Sequence, residues 1–273
     1  MPKVSVIIPV YRAATTIATC LDSVLAQTLD ELEIVLVDDH GFDFSMDEAR
    51  KRLASYTGSK TVVFTETPVN EGPGAARNRG IEAATGDYVA FLDADDTIDP
   101  NFCQTLYEAA QAVDADMAFG YISFDRPDGT SEVRHNPGVT AGPFTGKAKR
   151  RYLQQVKSYF TTYLYRHSLL TDNDIRFPGT HSAEDSCFLL CSLLCAESIA
   201  SAEVGYHYAI QPGSVSQRRD PQRWSNRLAS FGHLEAFART KGLWRPYRAT
   251  LRLLIFKKGW LLAAKDFLKN NLG

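Results

Sequence analysis

Over the first 125 positions, short apolar runs alternate with amphipathic stretches. VSVIIPV (4–10) is continuously apolar and β-branched, the pattern of a strand covered on both faces. TTIATCLDSVLAQT (15–28) sets Ile17, Cys20, Leu21, Val24 and Leu25 at helical spacing behind a candidate N-cap, Thr15. The alternation continues with a strand at 33–39 (EIVLVDD), a polar-faced helix at 47–56 and a strand at 61–67. GPGAARNRGIEAAT (72–85) predicts a helix opened by glycines, and YVAFLDA (88–94) a fourth strand. A helix with proline at its start follows at 100–114, then a fifth strand at 117–124. Beyond 125 the rhythm breaks. RPDGTSE predicts a turn, 136–146 a loop, and mixed helices follow, AEDSCFLLCSLLCAE (183–197) being the clearest. EVGYHYAI (203–210) alternates like a strand, and from about 220 the chain reads helical and basic. The expected organisation is a catalytic unit at 1–218, in halves 1–125 and 126–218, and a basic helical extension at 219–273.

Strands alternating with helices imply right-handed βαβ units and an α/β, Rossmann-like, mostly parallel mixed sheet flanked by helices. In such sheets ligands bind beyond the carboxyl ends of the strands. Those ends read PVYR, VDDHG and LDADD, so aspartates and a tyrosine converge on one edge. Asp93, Asp95 and Asp96 fall within four positions. Two unit charges ~4 Å apart cost roughly 4 kcal/mol at an effective dielectric of ~20. Hard divalent cations take carboxylate oxygens and leave positions for phosphate, which is one reading of the cluster. The other is a loop whose aspartates cap the helix starting near Pro100.

Composition narrows the class. The 273 residues are 44% hydrophobic and 23% charged, an ordinary globular balance with room for a large core. A net charge of −2 gives no sign of a nucleic-acid partner. Five cysteines, none in a CxxC pair, argue against a disulfide framework and for a reducing compartment. Cys187, Cys191 and Cys195 recur every four residues, one helix face, read as small buried thiols rather than as a metal site. The apolar run near the start is read as a strand rather than a signal peptide, and no 18-residue apolar stretch exists.

Two more segments carry candidate chemistry. NEGPGAARNRG (70–80) has Gly72 and Gly74 spaced as in a dinucleotide fingerprint, but Arg77 stands where the third glycine belongs and the segment follows the third strand. Its helix start still favours an anion, and Arg77 is either a fork for phosphate or a base edge, or a surface arginine. In HSAEDSCF, Glu184 and Asp185 precede an apolar helix, where they serve as caps or supply a general base.

The set resembles the inverting nucleotide-sugar glycosyltransferases of family 2, with the GT-A fold. VSVIIPVYRAATTIATCLDSVLAQT, IVLVDDHGFDFS, NEGPGAARNRGIEAATGDYVAFLDADD, YLYRHSLLTDNDIRF, EDSCF and YHYAIQPGSVS are similar to its segments, in order, over nearly all of the first 216 residues. The resemblance implies that Pro9 and Tyr11 flank the nucleotide base and that Asp39 accepts a hydrogen bond from the uracil. It implies that Arg77 approaches the base or diphosphate, Asp93 faces the ribose, Asp95 binds a divalent metal (manganese or magnesium) on the diphosphate, and Asp185 is the base. The metal and diphosphate would then relieve the repulsion among the aspartates. Two positions depart from the pattern: His40 replaces a glycine, and Ala209 stands where an arginine is common, leaving Arg218 or Arg219 to hold the diphosphate.

The expected activity is transfer of a sugar, from a UDP-sugar, to a hydroxyl of a glycan or lipid-linked acceptor of bacterial surface polysaccharide. The expected setting is cytoplasmic, peripheral at the inner face of the membrane. A catalytically silent nucleotide-sugar-binding scaffold is the rival from another class. Retention of Asp39, Asp93, Asp95 and Asp185 together argues against it. Residues 239–271 carry nine Lys and Arg against the one acid Asp266, interleaved with Trp and Leu. Such a segment suits either an anionic membrane interface or a face packed on the catalytic unit.

Overall fold

The computed structural model of the chain describes residues 1–210 and 220–271. At its centre β1 (Val4–Val10) is flanked in parallel by β2 (Leu32–Asp38) and β4 (Tyr88–Phe91), with β3 (Thr61–Glu66) outside β2. All seven β1 residues are buried, as a strand covered on both faces requires. The helices between these strands are α1 (Ile17–Leu25), α2 (Ser45–Ala54) and α3 (Pro73–Ala83). Gly80 lets α3 lie close on β1: a Cβ there would stand 2.2 Å from Ile7 Cγ2.

The strand expected at 88–94 stops at Phe91, because the aspartates form a turn closed by Asp96 N donating to Asp93 O (3.0 Å). The two-residue β5 (Thr97–Ile98) and α4 (Phe102–Gln111) follow, then β6 (Met117–Asp125), whose hairpin partner β7 (Ser131–Arg134) forms over the RPDGTSE turn. After β8 (Gly142–Pro143) and α5 (Gly146–Gln155) comes β9 (Tyr163–Arg166), in a region read as mixed helices. It lies between β4 and β6 and is antiparallel to both. Helices α6 (His167–Asp172) and α7 (Glu184–Cys195) lead to β10 (Ser198–Ala209), which starts before the alternating stretch. The sheet order is β3-β2-β1-β4-β9-β6-β10-β5, with β7 on β6 and β8 on β10.

The C-terminal helices α8 (Arg223–Thr240) and α9 (Trp244–Leu254), a π-helical segment Ile255–Leu261 and α10 (Leu262–Asn271) complete the described chain. Pro246 sits in the first turn of α9, where its missing N–H costs nothing. Phe231, Leu234, Trp244, Tyr247, Leu251 and Leu254 share one core with the α7 face of the sheet. Cys187 and Cys191 of α7 are buried in that core, and all five cysteines are free thiols. Buried Gly259 admits the ring of Phe231, 3.2 Å from where its Cβ would be. No helix of the described residues is long and apolar enough to cross a membrane.

Candidate active site

The acidic turn after β4 is held from below by β10. The Tyr206 hydroxyl donates to Asp96 Oδ2 (2.6 Å) and accepts from Asp93 N (3.2 Å), while Ala209 N donates to Asp96 Oδ1 (2.9 Å). Asp96 is buried, and burial followed by the Asp93 charge pushes its carboxyl up to about 8. Asp96 is thus the anchor of the turn, and Asp93 and Asp95 are its upper members. Asp95 opens to solvent, yet partial desolvation and then the Asp93 charge raise it.

Arg77, on the second turn of α3, is the countercharge. Its Nη2 donates to Asp93 Oδ1 at 2.6 Å, and its guanidinium lies over the rings of Phe160 (4.7 Å) and Phe177 (5.4 Å). The side chain is buried, with Nε unpartnered among the described residues. Burial alone would lower the guanidinium. The charge and hydrogen bond of Asp93, then the charges of Glu184 and Asp185, raise it on balance. One buried cation therefore faces the acids after β4 and those opening α7.

Asp185 stands in the first turn of α7, partly buried, with Oδ1 accepting from Ser186 N (2.6 Å). Burial raises its carboxyl, while the Ser186 bond, Arg77 and Arg227 oppose the rise. Glu184 is raised by burial and then by Asp185. The preceding Ala183 has φ 62°, the left-handed region that a Cβ disfavours, so the entry to this helix is strained. Helix α8 braces it: Ser230 Oγ donates to Ser182 O (2.7 Å) and lies 2.5 Å from Thr180 Oγ1. From the π-helical segment, Lys258 Nζ donates to Val156 O (2.8 Å); burial lowers its ammonium, with Asp185 opposing. Arg227 and Lys258, neither singled out as a site residue by the sequence reading, bring charge from the extension to bear on Asp185.

The residues expected on the nucleotide side stand at the ends of β1 and β2. Pro9 is buried in β1, and the Tyr11 ring is exposed beneath the Arg12 guanidinium (5.2 Å). Asp39 is 1% exposed. Its Oδ1 accepts from Thr67 Oγ1 (2.9 Å) and Glu71 N (3.1 Å), and its Oδ2 from Gly72 N (3.1 Å) and Asn70 Nδ2 (3.4 Å). The carboxylate thus gathers the loop that opens α3. Gly72 has φ 89°, and the ring of His181 lies 3.5 Å from where its Cβ would be. His40 has φ 51°, a conformation natural to glycine, and its Nε2 lies 2.5 Å from Thr67 O. Asp38, His40 and Glu66 have ligand atoms within 4.8 Å of one another, but the bond to Thr67 O commits one nitrogen of His40. Next to the acidic turn, His207 Nε2 lies 2.9 Å from Asp99 Oδ1 and its Nδ1 2.9 Å from Asp125 Oδ2, outside the predicted site. Arg218 and Arg219 lie outside the described residues.

The seven predicted residues, Pro9, Tyr11, Asp39, Arg77, Asp93, Asp95 and Asp185, stand at strand ends or in the opening turns of helices, and among them Arg77 and Asp93 bond directly. A sequence model of glycosyl transferase family 2 matches residues 5–173. EpsH of Bacillus subtilis, provisionally named a glycosyltransferase, is 31% identical over 93% of this chain and 74% of its own. The poly(ribitol-phosphate) beta-glucosyltransferase of Bacillus spizizenii is 34% identical over 77% of this chain, which spans only 32% of that protein. Among solved structures, S. aureus TarS residues 1–349 in complex with UDP superposes with TM-score 0.71 at 22% identity, over 98% of this chain and 81% of that one. A second TarS structure holds UDP-GlcNAc, with TM-score 0.67. At that identity the likeness is one of fold, the GT-A arrangement of a mixed sheet flanked by helices.

Proposed function

The chain belongs to glycosyltransferase family 2, and from that premise we propose that it moves a sugar from a UDP-sugar to a hydroxyl of a glycan or lipid-linked acceptor, with inversion at the anomeric carbon. The observation that carries this reading is Arg77. A single buried guanidinium bonds Asp93 at the donor end and is charge-coupled to Asp185 at the acceptor end. In this reading donor and acceptor chemistry meet around Arg77. The UDP and UDP-GlcNAc held by the TarS structures support a uridine donor, and the relatives' names support bacterial polysaccharide synthesis. Five free thiols suit a reducing, cytoplasmic setting.

In this reading a carboxylate oxygen of Asp185 takes the proton of the acceptor hydroxyl. The acceptor oxygen forms its bond to the anomeric carbon as the bond to the nucleoside diphosphate breaks on the opposite face. A positioned base contributes typically ~10²–10⁴-fold, roughly 3–5 kcal/mol. The donor set at the acidic turn fits a hard divalent cation. Asp95 is exposed and bonds no other side chain among the described residues, and Oδ2 of Asp93 is free of the Arg77 bond. Manganese or magnesium held at Asp95 beside Asp93 supplies, when bound, neutralisation of the departing diphosphate. Two carboxylates, with no third protein ligand among the described residues, match a site completed by substrate phosphates. Arg77 keeps Asp93 oriented, and Asp39 keeps the loop at the start of α3 folded.

The test is a screen of nucleotide-sugar hydrolysis with manganese present, which reports the donor without knowledge of the acceptor. UDP release from one sugar donor is expected. UDP binding with no hydrolysis or transfer from any donor would instead make the protein a nucleotide-sugar-binding scaffold.

A further inference from the structure

The C-terminal helices bury one apolar face and expose a second. Tyr247, Leu251, Leu254 and Ala263 point into the protein. Leu253, Phe256, Trp260, Leu261 and Leu268 point outward, Phe256 at 55% and Trp260 at 59% exposure. Scattered exposed apolar residues are ordinary, but two aromatic rings and several leucines along one short segment are not. The same segment exposes Arg252, Lys257 and Lys265, which make no ion pair among the described residues. The one acid, Asp266, is turned to Arg227 (2.9 Å). A cavity of about 290 Å³ opens here, lined by Trp244, Ile255, Phe256 and Trp260 together with Arg239 and Arg252. Glu235, which also lines the cavity, holds Arg239 (2.6 Å), so among the described residues Arg252 is the cavity's cation without an ion pair.

We infer that this outward face seats on an anionic lipid bilayer, with Phe256 and Trp260 entering the interfacial region and Arg252 meeting a headgroup phosphate. Packing on the protein and docking on a membrane are not alternatives here, because different faces of the helices do each. Charge selects the occupant. A second copy would bring the same unpaired cations against one another, whereas an anionic leaflet complements them, roughly fivefold in affinity per cation near the surface. Interfacial aromatic residues with flanking cations are the composition that lies in a bilayer plane. The placement also serves the cleft. Lys257 is exposed, while its neighbour Lys258 reaches inward to Val156 O and is charge-coupled to Asp185. The segment that would meet the bilayer thus also carries the lysine whose charge bears on Asp185. That last step rests on the transfer reading; the docking surface itself does not.

The experiment is co-sedimentation of the full chain with vesicles of phosphatidylglycerol and phosphatidylcholine, and with phosphatidylcholine alone. Binding to the mixed vesicles only is expected, with release in about 0.5 M salt. The double variants Phe256→Ser/Trp260→Ser and Arg252→Gln/Lys257→Gln each weaken it roughly tenfold or more, while melting temperature and donor hydrolysis in solution stay unchanged. Equal binding to neutral vesicles, no binding, or unaltered binding by the folded aromatic variant overturns the inference. So does a dimer in light scattering that Phe256→Ser/Trp260→Ser dissociates, which would assign the face to a second copy. Because hydrolysis is read separately, loss of vesicle binding and loss of transferase activity are distinguishable.

Discussion

Arg77 Nη2 lies 2.6 Å from Asp93 Oδ1, with the guanidinium covered by Phe160 and Phe177. The pair changes the account of the acidic turn. From the sequence, Asp93, Asp95 and Asp96 side by side read either as a cation site or as caps of the helix that follows. In the folded chain Arg77 neutralises Asp93, and Tyr206 and Ala209 hold Asp96. Asp95 is the most exposed of the three and bonds no other side chain among the described residues.

Removing Asp93 strands a buried cation. Asp93→Ala is expected to cost roughly 2–3 kcal/mol in urea unfolding, below the 3–5 kcal/mol of a fully buried pair because Asp93 keeps some water. Arg77→Met/Asp93→Ala should cost less than the sum of the two single changes. Additive single and double costs would show that the pair contributes nothing as a pair.

Asp185→Asn should abolish transfer and leave nucleotide affinity within a few-fold, since the proposed base touches the acceptor. The measurement is UDP titration beside a transfer assay. If titration shows UDP binding lost as well, Asp185 is a donor ligand or a cap of α7 rather than the base.

The parallel strands β1 to β4 and the helices between them were legible in the sequence because burial on both faces demands unbroken apolar runs. Strand β9 was not, since four residues of mixed character within YLYR carry no period. The partners of the site residues were also hidden. Tyr206 reaches Asp96 from 110 positions away, and Arg227 and Lys258 come from an extension read as basic helices with no role in the site. His40 looked like a bare departure from glycine, but its φ of 51° shows the conformation that a glycine would take there.

Chelation should remove activity, and manganese or magnesium should restore it. Asp95→Asn is expected to raise the metal concentration needed for half-activity by roughly tenfold or more, as loss of one of two carboxylate ligands implies. Glu66→Gln serves as the control, because Asp38, His40 and Glu66 form the other convergent group. If Glu66→Gln impairs metal activation and Asp95→Asn does not, the cation belongs to that group.

Arg227 holds the Asp185 carboxyl down against burial, which raises it. A base works deprotonated, so activity falls as pH drops through its pKa. Arg227→Gln removes a restraint on the upward shift and should move the acid limb of kcat/KM to higher pH. Asp266→Asn frees Arg227 from its ion pair but keeps its charge, and should not move that limb upward. A limb moved to lower pH by Arg227→Gln would mean that the titrating group is not Asp185.

Asp39 separates two kinds of nucleotide residue. A direct acceptor for the uracil needs a free oxygen edge, yet the Asp39 carboxylate already receives bonds from Thr67, Asn70, Glu71 and Gly72. Asp39→Ala leaves buried donors unpaired, at about 1–3 kcal/mol for a group so stranded, so stability should fall together with UDP affinity. Thr67→Val removes one of those donors from the loop. If Asp39 acts by folding the loop, Thr67→Val should reproduce part of both losses, read by thermal melting and by UDP titration. If Asp39→Ala weakens UDP binding while the melting temperature holds, and Thr67→Val leaves UDP binding untouched, the aspartate meets the base directly and the loop opens to let it.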